Sequence, residues 1–116
     1  MLGAIYGQYI PPVNVARAPE QWQVYDIIFH APRRDEAGQV IEPGSITAFL
    51  NGVLLYENAE IKVPTVYGPL HHRPTPYANA LYAEIKKTGR GPLFLQDHGS
   101  PVRFRNIWIR ELKRGE

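Results

Sequence analysis

The sequence has no cysteine and only one methionine in 116 residues. Without thiols there is no disulfide framework, no thiolate metal site and no thiol nucleophile, so stability has to come from burial, hydrogen bonding or a partner. No run approaches the ~18 apolar residues that a membrane-spanning helix needs. The opening Met1-Leu2-Gly3-Ala4 also lacks the basic segment and apolar run of a signal peptide. These absences predict a soluble chain without a membrane anchor. An excess of one charge sign is missing too, since 13 Lys+Arg against 11 Asp+Glu leave a net charge of +2. Five basic residues lie between Arg103 and Arg114, but Glu111 interrupts them, Glu116 follows, and no nucleic-acid motif accompanies them. They read as a solvated basic face rather than a nucleic-acid surface. P-loop, dinucleotide fingerprint and Ser/His/Asp spacing are all absent, which argues against nucleotide and acyl-transfer chemistry.

What is present describes one folded domain, residues 1–116. Hydrophobic residues make up 44% and charged residues 21%, a balance that supports a packed core and excludes a disordered tail. Trp22 to Phe29, WQVYDIIF, is apolar on both alternating sets, so it predicts an interior strand covered on both faces. Asp26 within it then needs a partner such as an Arg. Ile46–Leu50 and Val53–Tyr56 flank Asn51-Gly52, the strongest short-range signal for a two-residue type I′ hairpin. Pro92–Gln96 and Val102–Leu112 read as a second strand pair around the loop 97–101. In the latter the apolar residues change phase, from Val102 and Phe104 to Ile107 and Ile109. One extra residue at Arg105-Asn106 repairs that phase, so a β-bulge is predicted there, with Phe104, Ile107 and Ile109 facing the core.

Pro64, Pro69, Pro74 and Pro76 make the intervening stretch loop, broken by one helix at about 76–88. Thr75 is its candidate cap, Pro76 its first position, Tyr77, Leu81 and Ile85 its apolar stripe, and Gly89 its stop. Short strands separated by turns point to an all-β antiparallel sandwich.

Three polar clusters carry candidate chemistry. Gln96-Asp97-His98-Gly99 places a carboxylate and an imidazole on a tight loop, where they would serve as general acid and base, or simply bond the loop backbone. Arg103, Arg105, Trp108 and Arg110, with Trp22 elsewhere, offer indole faces and guanidinium forks for sugar rings and hydroxyls. Their bland alternative is a strand face whose Arg stems cover apolar surface. His71-His72 lacks a spaced carboxylate, so no metal and no cofactor is expected. Asp26, Asp97, Glu20, Glu57 and Glu60 show no spacing that selects a glycosidase pair.

Several segments together carry a resemblance: Gly3-Ala-Ile-Tyr-Gly-Gln8, Pro11-Pro-Val-Asn14, Trp22–Phe29, Ala31-Pro-Arg33, Asn51-Gly-Val53, and above all Gly91-Pro-Leu-Phe-Leu-Gln-Asp-His-Gly-Ser-Pro-Val-Arg-Phe-Arg-Asn-Ile-Trp108. In order and spacing they resemble the C-terminal portion of the 3-keto-disaccharide hydrolase domain family. The resemblance implies a concanavalin-like or jelly-roll sandwich, cleavage of oxidised glycosides, and a secreted or periplasmic location. It implies that Gln96, His98, Arg103 and Arg105 lie near a sugar groove, while Tyr77–Lys87 resembles an insertion. With the loop and stacking readings above, the expected catalytic residues are Asp97 and His98, and the expected substrate-binding residues Trp22, Gln96, Arg103, Arg105 and Trp108. Strands apolar on both faces in a chain with few strands further predict a homo-oligomer or a partner chain completing the sandwich, through the Gly3–Gln8 strand or the 77–87 insertion. A structural, self-assembling protein reusing the sandwich is the alternative to a carbohydrate-active one.

Overall fold

A computed structural model describes residues 2–5, 7–62, 76–93, 95 and 99–113. Its elements are β1 (Tyr25–His30), β2 (Arg33–Arg34), β3 (Val40–Glu42), β4 (Gly44–Leu50), β5 (Val53–Ile61) and α1 (Pro76–Thr88). Both sheets are antiparallel: a three-stranded one ordered β1-β4-β5 and a two-stranded one of β2 and β3. The chain is thus mostly β with one short helix, as the residues predict.

The β4–β5 turn is the predicted one. Asn51 and Gly52 both have positive φ, 52° and 79°, the backbone twist that a two-residue link between right-handed strands requires. Asn51 also ties the turn to the approach to β1. Its Oδ1 accepts from the Val24 amide (2.9 Å), and its Nδ2 donates to the Val15 carbonyl and to Gln23 Oε1 (2.8 Å each). Gln23 in turn bonds both backbone groups of Arg17, and Arg17 Nη1 holds the Trp22 carbonyl at 3.0 Å.

β4 alternates between the sheet's two faces. Ala48 and Leu50 turn into the core, Leu50 being 1% exposed, while Ser45, Thr47 and Phe49 turn the other way and are half-buried. β5 departs from that period, since Leu55 and Tyr56 are adjacent and both buried. The register explains it. Phe49 pairs with Leu54 but Ala48 with Tyr56, and Ile46 pairs with Ala59, so β5 carries an extra residue at Leu55 and another near Asn58. Asn58 has a φ of 47°, and its amide donates to Thr47 Oγ1 at 2.9 Å.

Among the described residues the core face is covered by the N-terminal segment rather than by a second sheet. Ile5, Tyr9 and Val15 pack on Ala48, Leu50, Leu55 and Tyr56. Gly3–Gln8 is therefore not the extended strand expected of it: the Ile5 and Tyr9 backbones bond each other, closing a tight turn. Tyr56 Oη donates to the Gly3 carbonyl (2.7 Å), and Tyr9 Oη to the Glu60 carbonyl (2.8 Å). Gly3 is required on two counts, a φ of 89° and a Leu55 methyl 2.6 Å from where a Cβ would stand.

Among the described residues β1 is an edge strand, paired with β4 alone, and all six of its residues are exposed, among them Ile27 at 56% and Phe29 at 55%. Asp26 is likewise exposed and forms no ion pair among the described residues, so no burial cost demands an Arg. The second strand pair is absent among the described residues of 91–113, which carry no strand. Asn106 does turn at the expected phase change, with a φ of 53°, but no ladder runs beside it to make a bulge. Phe104, Ile107 and Ile109 are exposed at 52%, 52% and 79% rather than in the core. Apolar alternation measures a need for cover, and no described strand supplies it to this segment.

The helix agrees with its signals, starting at Pro76 and ending where the Gly89 amide bonds the Ile85 carbonyl (2.8 Å) at a φ of 69°. Lys86 and Lys87 in its last turn complement the helix dipole. Thr75 and the prolines at 64, 69 and 74 lie outside the described residues.

Candidate functional site

Directly opposed residues of an antiparallel pair share a face, so the register lays out the face turned away from the core. One row is Asp26, Phe49 and Leu54; the next is Ile28, Thr47 and Asn58; the third is His30, Ser45 and Glu60. The order within each row is β1, β4, β5. Two carboxylates, an imidazole, two hydroxyls and an amide thus alternate with three apolar side chains on a surface open to solvent. The β1 and β5 members are exposed, and the β4 members are half-buried between them. Neighbours across the strands stand roughly 5 Å apart.

That spacing decides which chemistry the face supports. Asp26 and Glu60 are two strands and four residues apart, about 16 Å by strand geometry. Glycosidase carboxylate pairs stand about 5–9.5 Å apart, so these two do not form one. His30 and Glu60 flank Ser45 in a single row, roughly 10 Å apart across the two strand spacings. The set supplies donors and acceptors in rows, suited to several hydroxyls at once.

Trp22 stands just before β1, its carbonyl held by Arg17 and its neighbours Gln23 and Val24 by Asn51. The Arg105 guanidinium lies over its ring, 3.8 Å from the centroid. The structure thus joins two of the expected binding residues from opposite ends of the sequence. Arg103 and Trp108 are exposed on the same segment as Arg105, Trp108 at 79%. Gln96, Asp97 and His98 lie outside the described residues, as do His71 and His72. No group of three or more His, Asp or Glu among the described residues is placed to hold a metal ion, and no described helix is long and apolar enough to cross a membrane.

His30, Ser45, Thr47 and Asn58 were not among the sequence candidates. Their signal is the alternation of polar with apolar residues in Gly44–Leu50 and Asp26–His30, which marks one face as solvent-facing once the strands are aligned.

Burial raises the Tyr56 phenol above its ordinary value of 10.0, with charge interaction from Tyr25 adding to it. Burial raises Tyr25 as well, partly offset by a backbone hydrogen bond at Gly3. Both sit on the core face, away from the polar rows.

Residues 1–110 match a family described as the 3-keto-alpha-glucoside-1,2-lyase-like domain. A crystal structure from Parabacteroides distasonis ATCC 8503, provisionally described as that of a glycosyl hydrolase, is similar with a TM-score of 0.53 and 40% identity. The match covers 56% of this chain and 28% of that one. A search of curated proteins finds no match.

Proposed function

The chain belongs to the 3-keto-alpha-glucoside-1,2-lyase-like domain family, and on that premise we propose that it is a carbohydrate-active domain of β-sandwich ancestry that takes oxidised glycosides on its open sheet face. The observation that carries the reading is the polar rows on that face, Asp26, His30, Ser45, Thr47, Asn58 and Glu60, with Ile28, Phe49 and Leu54 among them. Sugars present hydroxyls around apolar C–H patches, and the face presents the matching alternation. The Trp22–Arg105 stack stands at the Tyr25 end of β1, with Trp22 38% exposed.

The wide carboxylate spacing fits eliminative rather than hydrolytic cleavage. A ketone at C3 acidifies the C2 proton. One base removes it, the electron pair forms the C1–C2 double bond, and the C1–O bond breaks as the departing oxygen takes a proton. That route needs one base and one acid, not a carboxylate pair flanking the bond. Asp97 and His98 are the proposed acid–base pair on the strength of the family motif, Gln96 and Arg103 are proposed to bind substrate beside them, and Trp108 offers a second stacking ring. His30 is the imidazole on the described face that would take the base's place. A secreted or periplasmic setting, without nucleic acid or membrane partners, belongs to the same proposal.

Calorimetric titration with a 3-keto-disaccharide and its unoxidised parent tests the binding. Saturable binding that favours the keto sugar and weakens in Trp22→Ala is expected. No heat at millimolar ligand overturns the carbohydrate reading. Turnover in His98→Ala against His30→Ala then assigns the base.

A second reading has its own observation. Among the described residues Ile27, Ile28, Phe29, Phe104, Ile107, Trp108 and Ile109 are all exposed. Apolar surface of that extent favours a self-assembling or partner-completed protein.

A further inference from the structure

The two edges of the three-stranded sheet are built differently. β5 carries both bulges, and its outer side is tied down by Tyr9 Oη on the Glu60 carbonyl and by the Lys62 amide on Gln8 Oε1. Bulges and side-chain straps are ways of blunting an edge. β1 has neither. Its register with β4 is unbroken from Tyr25 to His30, and YDIIFH contains no Pro and no Lys.

Which backbone groups it leaves open follows from Val24, whose amide and carbonyl both turn toward the hairpin to meet Asn51. By strand alternation Asp26, Ile28 and His30 turn their amides and carbonyls toward β4, and Tyr25, Ile27 and Phe29 turn theirs outward. Among the described residues no strand takes them.

We propose that this edge is completed by β1 of a second copy of the chain, antiparallel, about a two-fold axis through Ile28. An axis perpendicular to the sheet keeps each face continuous and sets same-face residues opposite one another. With Ile28 on the axis, Asp26 faces the partner's His30 and His30 faces the partner's Asp26. Ile28 meets the partner's Ile28 between them. On the core face Ile27 meets the partner's Phe29, and these outward-turned residues exchange two hydrogen bonds at each of the two symmetric positions. The charged residues fall at the non-hydrogen-bonded positions, where side chains come closer.

Other two-fold registers lose this match. An axis at Asp26 opposes two carboxylates, one at Ile27 sets Asp26 against the partner's Ile28, and one at Phe29 sets it against the partner's Pro32, so neither of the last two gives the carboxylate a charged neighbour. The exposed side chains of Ile27, Ile28 and Phe29 gain cover in the favoured register. The inference rests on the assembly reading and holds whether or not the open face takes sugar.

Sedimentation across a concentration series, with circular dichroism to confirm folding, tests it. Wild type is expected at twice 13.2 kDa. Asp26→Lys is expected to weaken association at least tenfold, and the exchange Asp26→His with His30→Asp to return it to within threefold of wild type. Hydrogen exchange on the unaltered protein gives an independent readout, with the Ile27 and Phe29 amides protected only at concentrations where the dimer forms. A wild type that stays monomeric at hundreds of micromolar overturns both the pairing and the assembly reading. A dimer whose mass ignores both variants, with Ile27 and Phe29 amides unprotected, overturns the β1 pairing and leaves assembly standing on another surface.

Discussion

Asn51 does two jobs that substitutions separate. Its left-handed backbone fits the turn, and its amide group joins Val15, Gln23 and Val24 to the hairpin. Asn51→Gly keeps the backbone freedom and loses the bonds, at about 0.5–1.5 kcal/mol for each. Asn51→Val loses both, because a β-branched side chain resists positive φ, and is expected to cost at least about 1 kcal/mol more than Asn51→Gly. Urea unfolding of the pair checks the order, and equal midpoints for the two would refute it. Tyr56 works through its hydroxyl proton, donated to the Gly3 carbonyl. Its folded-state pKa is raised, as is that of Tyr25. Their contribution is therefore fully present below the unfolded phenol value of 10.0 and is lost as pH rises through the folded values. Stability measured from pH 8 to 11 is expected to fall above pH 10, and less steeply in Tyr56→Phe; identical slopes would count against the buried phenol.

At the scale of elements, what is local was legible and what is supplied from afar was not. The Asn-Gly turn and α1 are written in adjacent residues, from Pro76 to Gly89, and both stand where the sequence puts them. The place of β1 was legible from its composition, but its cover was not, because a doubly apolar strand shows that it needs neighbours without saying which. The bulges of β5 were missed although Leu55-Tyr56 followed by Asn58 carries a trace of them: two adjacent core residues break a period of two. Residues 102–112 have the alternation of a strand and no strand partner among the described residues, so Val102, Phe104, Ile107, Trp108 and Ile109 remain exposed. Leu50→Ala is accordingly expected to cost about 2–5 kcal/mol as a core truncation, and Ile107→Ala within about 0.5 kcal/mol. A denaturation series that ranks Ile107 with Leu50 would mean that residues 102–112 are covered in solution.

For the whole molecule, the sequence carried the family and part of the site. The motif residues Trp22 and Arg105 meet across more than eighty positions of chain, while the polar rows emerge only when Asp26–His30, Ser45–Phe49 and Leu54–Glu60 are set in register. Two bulges shift which β5 side chains share a row with β4, and no single strand's pattern reveals that. On the proposed reading this uncovered face receives an oxidised sugar, and backbone and indole chemical-shift mapping during titration with a 3-keto-disaccharide tests that. Saturable shifts are expected at Asp26, Ile28, His30, Ser45, Thr47 and Asn58 and at the Trp22 indole, with Ile5, Val15 and Leu50 on the core face unmoved. Shifts absent from those rows, or confined to β2, β3 and α1, would contradict it.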